Sequence, residues 1–270
     1  MTDGSVNTAV ATETMQSPQS TDTGFSAQVV GKYKVTKFKR LISCIANILH
    51  HEIYLQVDGN GISIRQLDLS KAMLVYLTIP ADYFYSFEYD QDLMFALDAD
   101  AFNNAVGKAR SRLELVLETQ EAEGQLMCRT KDGMVLLKTW EAGDIAKLPE
   151  LSPDIHASVI AGKFKQMLKK MNGDYFELAV SESDYTLSIT DDTTGGIEHV
   201  MDRGSGMLSV RCDDETGPDD YACYSVRHVQ NMLKLWPNKS RVSVSFSKDK
   251  PLILTSSFGE LVLAPRVVRR

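Results

Sequence analysis

Four cysteines, Cys44, Cys128, Cys212 and Cys223, lie scattered through 270 residues with no Cys-x-x-Cys pair. That spacing excludes the common zinc motifs and a dense disulfide framework, and it reads as reduced residues of an intracellular protein. His50-His51 has no acidic or cysteine companion at metal-ligand spacing, and Gly195-Gly196 lacks the phosphate-loop pattern. No nucleophile stands with a base, so no catalytic residue is assigned and the chain is not expected to be an enzyme or to carry a cofactor or metal. The cluster Asp213, Asp214, Glu215, Asp219 and Asp220 reads as a solvated loop rather than a cation site. No stretch approaches the ~20 apolar residues that span a bilayer, and the N-terminus has no basic-then-apolar leader. The expectation is a soluble, intracellular protein with no membrane partner. Residues 1–27 contain no Lys or Arg and little large apolar surface, which predicts a disordered tail.

What is present is a hydrophobic fraction of 43% and a net charge of -7. The first suffices for one large core or two ordinary ones, and the second confines any nucleic-acid surface to a local face. The chain then repeats itself. Phe38-Lys39-Arg40-Leu41 opens a helical run that ends near His50, before strand-like segments at Ile53–Val57 and Gly61–Arg65. Phe164-Lys165-Gln166-Met167 opens another, ending near Met171 and followed by Tyr175–Val180 and Tyr185–Thr190. A later pair repeats too: Phe102–Val106 leads through Ser111-Arg112 into Leu113–Leu117, as Val229–Leu233 leads through Ser240-Arg241 into Val242–Phe246. Each half reads helix, strands, helix, strands, which makes two similar domains the expectation.

The helices share a charge pattern. From Thr36 as N-cap, Phe38, Leu41, Ile42, Ile45, Ile48 and Leu49 mark one apolar face and leave Lys37, Lys39 and Arg40 off it, in the first turns. Cations there oppose the helix macrodipole, so helix stability does not explain them. In the third helix Phe164, Met167, Leu168 and Met171 point inward and Lys163, Lys165, Lys169 and Lys170 outward. In the fourth, Arg227, Gln230 and Lys234 lie outside. The second presents Asn103, Asn104, Lys108 and Arg110. One such helix is an ordinary solvated face, but acids such as Glu88, Asp90, Asp92, Glu114, Glu118, Glu121 and Glu123 gather on the strands. Positive helices on a negative scaffold point to one face that meets a polyanion.

Segments such as Leu74–Ile79, Met134–Trp140 and Leu252–Thr255 are β-branched and aromatic and are bounded by turn formers. The fold class is therefore α+β, with helices on one face of antiparallel sheets. Met134–Trp140 and Ile197–Met201 are candidate edge strands, open to pairing with another chain.

From about Val29 to its end the chain resembles the sliding clamps of the proliferating cell nuclear antigen (PCNA) type, most like the archaeal branch. The resemblance rests on Gly61-Ile-Ser-Ile-Arg-Gln-Leu-Asp68, on Lys250-Pro251-Leu252 and on the closing Leu263-Ala-Pro-Arg-Val267. It implies a DNA clamp fold at residues 28–141 and 154–270, joined by a connecting linker at 142–153. It also implies a head-to-tail trimeric ring with helices around duplex DNA and sheets outside. The ring would be built from this chain or with paralogous subunits; a monomeric processivity factor is the alternative. Lys39, Arg40, Lys169, Arg227 and Lys234 fall where the family places cations facing DNA. Lys37, Lys108, Arg110, Lys163, Lys165, Lys170 and Lys239 join them by helical geometry. Asn103 and Asn104 stand where the family usually carries lysine. A partner-peptide pocket is implied at Leu67, Leu74, Leu148, Pro149, Pro251, Ala264 and Pro265, serving a DNA polymerase, clamp loader, flap nuclease and ligase through short motifs. The subunit interface is implied at Val135, Leu137, Lys138, Ile197, Glu198 and Val200. The C-terminal Val268-Arg269-Arg270 departs from the acidic ending of the family.

Overall fold

A computed structural model describes residues 24–120, 123–181, 186–191, 198–212 and 221–266. Tyr185, Gly195-Gly196, Ile197, Glu121, the Asp213–Asp220 acidic cluster and Val267–Arg270 lie outside them. In the first half, β1 (Gly24–Val30) leads into α1 (Lys32–Leu49), then β2 (Glu52–Asp58), β3 (Gly61–Leu67), β4 (Met73–Pro80) and a 3₁₀ turn at Ala81–Tyr83. Next come β5 (Ser86–Tyr89), β6 (Leu93–Asp98), α2 (Ala99–Gly107), β7 (Arg112–Gln120), β8 (Glu123–Thr130) and β9 (Gly133–Trp140). The second half holds β10 (Ile155–Ile160), α3 (Ala161–Leu168), β11 (Tyr175–Ser181), β12 (Thr186–Asp191), β13 (Glu198–Met201) and β14 (Met207–Cys212). It closes with β15 (Tyr221–Ser225), α4 (Val226–Met232), β16 (Arg241–Phe246), β17 (Leu252–Ser256) and β18 (Gly259–Leu263).

The duplication read in the sequence is present in the strand ladders. β5-β1-β7-β8-β9 of the first half has the same neighbour order as β14-β10-β16-β17-β18 of the second, and β6-β2-β3-β4 matches β15-β11-β12-β13. Within the chain, β18 pairs antiparallel with β4, from Gly259 opposite Leu77 to Leu263 opposite Met73, and thereby joins the halves. β9 joins β6 only at Thr139 and Trp140. All pairings described are antiparallel, and the helices pack on one side of the sheets, so the class is α+β as expected. Among the described residues, no helix is long and apolar enough to cross a membrane.

Two boundaries differ from the sequence reading. α1 begins at Lys32 after Gly31, whose φ of 98° only glycine adopts readily, and not after Thr36. Lys37, Lys39 and Arg40 therefore sit beyond the first turn, and the dipole argument applies instead to Lys32 and Lys34. The extra turn exists because Val35 is fully buried and extends the apolar stripe backwards. β1 begins at Gly24, inside the stretch read as tail, because Phe25, Ala27 and Val29 alternate into the core.

The core lies between helices and sheets. Phe38, Leu41, Ile42 and Ile45 of α1, Phe102 of α2, Phe164 and Leu168 of α3, and Val229 of α4 are almost wholly buried. Each such side chain contributes about 1.5–3 kcal/mol from burial, which outweighs the weak caps of these helices. Of the four described helices, only α2 has a side-chain cap, with Asp98 accepting from the Ala101 N–H at 2.6 Å.

Candidate nucleic-acid and partner surfaces

The helices form one continuous layer in the order α2, α1, α4, α3. Its central seam is sealed by Cys44 of α1, whose thiol donates to the Asn231 and Met232 carbonyls at 3.4 and 3.6 Å. Burial pushes that thiol up to about 12. One surface thus carries the outer sides of helices from both halves.

The predicted cations are used in different ways across it. Lys39 Nζ donates to the Ala109 carbonyl at 2.9 Å, tying α1 to the end of α2. Lys165 Nζ donates to the Trp236 carbonyl at 2.7 Å and to Asn238 Oδ1 at 3.2 Å; its pKa is lowered by burial and then by the nearby Arg40 charge. Lys37 Nζ bonds Ser257 Oγ at 2.9 Å and lies 4.4 Å from the centre of the Phe258 ring. Arg110 pairs with Asp132 at 3.4 Å, and Lys234 donates to Asn47 at 3.0 Å while exposed. Lys108, Lys163, Lys169, Lys170, Arg227 and Lys239 are exposed, and Arg40 is half-buried. Sequence periodicity separated inner from outer faces, but not cations fastened to backbone from cations facing solvent. Lys34 escaped notice; its Nζ donates to the Tyr83 carbonyl at 2.7 Å.

On the opposite face of the sheet, residues 141–154 cross β3 and β4 without regular structure. The Ala146 N–H donates to the Arg65 carbonyl at 3.1 Å. At the far end Lys250 Nζ donates to the Ser152 carbonyl at 3.2 Å and pairs with Asp154 at 3.3 Å. A hydrogen bond with Ser247, then Lys250, holds the Asp154 carboxyl below its usual range. Beneath the strap lies a small apolar cluster separate from the main core: Leu74, Ile253 and Val262, with Tyr76, Ala146 and Leu151 against them. Leu74, 5% exposed, is buried in this second cluster and not in the main core. Leu67 and Leu148 beside it are 44% and 36% exposed, Pro149 and Ala264 are exposed, and Pro251 and Pro265 are half-buried. Ile253 and Val262 were missed; their signal was the unbroken apolar runs Leu252–Leu254 and Leu261–Leu263, which denote strands covered on both faces.

Both strands expected as edges have an open side among the described residues. β9 pairs with β8 along Gly133–Lys138 while its other side meets β6 only at the end, and β13 pairs with β12 alone. On β9, Met134 and Leu136 are 52% and 51% exposed, whereas Val135 and Leu137 turn inward. On β13, Glu198 and Val200 point outward.

Comparison with known proteins agrees with this architecture. Residues 19–135 match the family described as proliferating cell nuclear antigen, N-terminal domain. A DNA polymerase sliding clamp of Methanococcus maripaludis is 24% identical over 247 residues, covering 85% of this chain and 95% of that protein. DNA polymerase sliding clamp 3 of Aeropyrum pernix is 25% identical over 221 residues, covering 80% and 86%. Among solved structures, PCNA from Thermococcus kodakaraensis superposes with a TM-score of 0.75 at 23% identity, covering 90% of this chain and 100% of that one. The PCNA2–PCNA3 complex of Sulfolobus tokodaii gives 0.72 at 19%, covering 89% and 99%. Doubled strand order, a single helical layer and a strapped outer face thus go with a match of residues 19–135 to the PCNA N-terminal domain and with a fold shared with solved PCNA structures.

Proposed function

We propose that this chain closes, in three copies, a ring around duplex DNA inside the cell and tethers replication and repair enzymes to it. The observation that carries the reading is the continuous helical layer drawn from both halves, with exposed cations on a protein of net charge -7. Such a lining acts through phosphate charge and not base edges, so it lets the ring move along any sequence. The halves at 28–141 and 154–270 are the two clamp domains and 142–153 is the linker between them. Leu67, Leu74, Leu148, Pro149, Pro251, Ala264 and Pro265 form the partner seat beside the linker. The polymerase, clamp loader, flap nuclease and ligase reach it through a short peptide whose apolar anchors supply most of the binding energy. The open edges of β9 and β13 support head-to-tail closure, with Val135, Leu137, Lys138, Glu198 and Val200 on or beside the paired strands.

Light scattering behind size exclusion tests the closure. A mass of three chains of 30.0 kDa, stable on dilution, is the expected result. A monomer that persists at high concentration overturns a ring built from this chain alone and turns attention to paralogous subunits, as in the PCNA2–PCNA3 complex.

A further inference from the structure

We infer that the Asp132 carboxylate of one copy docks against Lys163 of the next, so that the ring is locked by an ion pair where the chain's own internal junction uses an aromatic plug. This rests on the ring reading and adds to it which residues meet. The internal junction supplies the template. At the β17–β18 turn, Ser256 Oγ donates to the Gly259 carbonyl at 3.1 Å and accepts from the Phe258 N–H at 3.0 Å. At the β8–β9 turn, Thr130 Oγ1 donates to the Gly133 carbonyl at 3.1 Å and accepts from the Asp132 N–H at 3.3 Å. Both turns end on a glycine at positive φ, 130° at Gly259 and 148° at Gly133. Phe258 and Asp132 therefore hold one and the same position in two copies of one turn.

Phe258 is the plug of the internal junction. It is 6% exposed, its ring lies 4.4 Å from Lys37 Nζ and 5.3 Å from the Tyr83 ring, and its carbonyl accepts the Thr78 N–H at 2.7 Å. The buried pairs Phe38 with Phe164 and Ile42 with Leu168 align α1 with α3, which makes Lys163 the counterpart of Lys37. Aligning the ladders on the α2 and α4 N-caps, Asp98 and Ser225, gives β13 as the counterpart of β4, with Glu198 at Tyr76 and His199 at Leu77. Applied to two copies, the internal register sets Gly133 opposite His199 and Met134 opposite Glu198.

The surroundings fit. Lys163 stands next to the end of β13: a Cβ on Gly206 would come 2.7 Å from its Cγ and 3.6 Å from Met201 Sδ. In place of an aromatic ring, the turn that would approach it carries a carboxylate. His199 Nε2 is buried without a hydrogen-bond partner, at the position where Leu77 is sealed under the Gly259 turn. Asp202, the acid nearest the socket by sequence, is engaged by the Ser205 N–H and hydroxyl at 2.7 and 2.8 Å. Among the described residues the Asp132 carboxylate has only the pair with Arg110; the Arg110 and Asp132 side chains are 85% and 53% exposed, a contact weak enough to exchange.

The test is charge swapping in the full chain. Asp132→Lys and Lys163→Asp each place like charges in the socket and should raise the concentration for half-assembly by tenfold or more, measured by sedimentation with melting curves to confirm folding. The double variant Asp132→Lys with Lys163→Asp should recover most of the loss. Singles that assemble like the parent, or a double no better than the worse single, overturn the docking while leaving the ring intact. A parent chain that never self-associates overturns a ring built from this chain alone, which separates the two failures.

Discussion

Lys165 and Lys169 sit four residues apart, yet the structure gives them different work. Lys165 is half-buried with its ammonium on the Trp236 carbonyl and Asn238, whereas Lys169 is exposed past the end of α3. Replacing Lys165 with Met keeps the stem and removes a charge-assisted bond in a partly solvated site, a loss of about 1–2 kcal/mol. At this chain length that lowers the melting temperature by about 2–8 °C. Replacing Lys169 and Lys170 with Gln should leave melting within about 0.5 kcal/mol of the parent. On DNA the order reverses. Each lost phosphate contact lowers the slope of log affinity against log salt by about 0.9, so the Lys169/Lys170 double variant should lose up to about 1.8 and Lys165→Met nearly none. Fluorescence anisotropy on a labelled duplex between low and moderate salt reads the slope, and calorimetry reads the stability. If Lys165→Met flattened the salt dependence as much as the double variant without changing the melt, the distinction between fastened and DNA-facing cations would be refuted.

Other expectations concern the seams and the strap. Cys44 and Cys128 are buried with thiols pushed up to about 12, so the folded chain holds those protons more tightly than the unfolded one. Their contribution to stability is complete below about pH 9 and lost as pH rises through about 9 to 12, which denaturant titrations at stepped pH would detect. Thiol labelling of both should be limited by unfolding; rapid labelling of the native chain would contradict the packed seam. Leu148→Ala with Leu67→Ala should weaken a peptide carrying glutamine, an aliphatic residue and paired aromatics by tenfold or more, without changing the mass of the assembly. Ile253→Ala should cost about 2–4 kcal/mol or less and loosen the strap, so that trypsin cuts at Lys147 sooner than in the parent. An unchanged cleavage rate would show that the apolar cluster does not hold the linker.

Much of this architecture was legible in the chain. The paired elements Phe38 and Phe164, Ser111-Arg112 and Ser240-Arg241 announced the duplication that the ladders carry. The longest β-branched runs became strands β4, β9 and β17 within a residue or two. The short or polar strands β5, β14 and β15 left no such mark, because they are held by neighbours and not by their own apolar pattern. Thr36 was a plausible cap only while Val35 was not known to be buried. The basic faces could be read from spacing, but whether Lys39 reaches a phosphate or the Ala109 carbonyl depends on where α2 ends, which is a tertiary fact. The strap over Leu74, Ile253 and Val262 brings together three strands from two halves, and single-strand periodicity cannot see it.

Topological retention is the claim on which the rest depends. The most direct measurement is the lifetime of labelled protein threaded onto linear duplex DNA at low salt, then moved to high salt with the DNA ends either open or blocked by bound streptavidin. An encircling ring leaves within seconds from open ends and persists many times longer behind blocked ones, since screening removes its weak phosphate contacts but not the enclosure. Equal, short lifetimes on both substrates would mean that the protein holds DNA by charge alone, and the ring account would be contradicted.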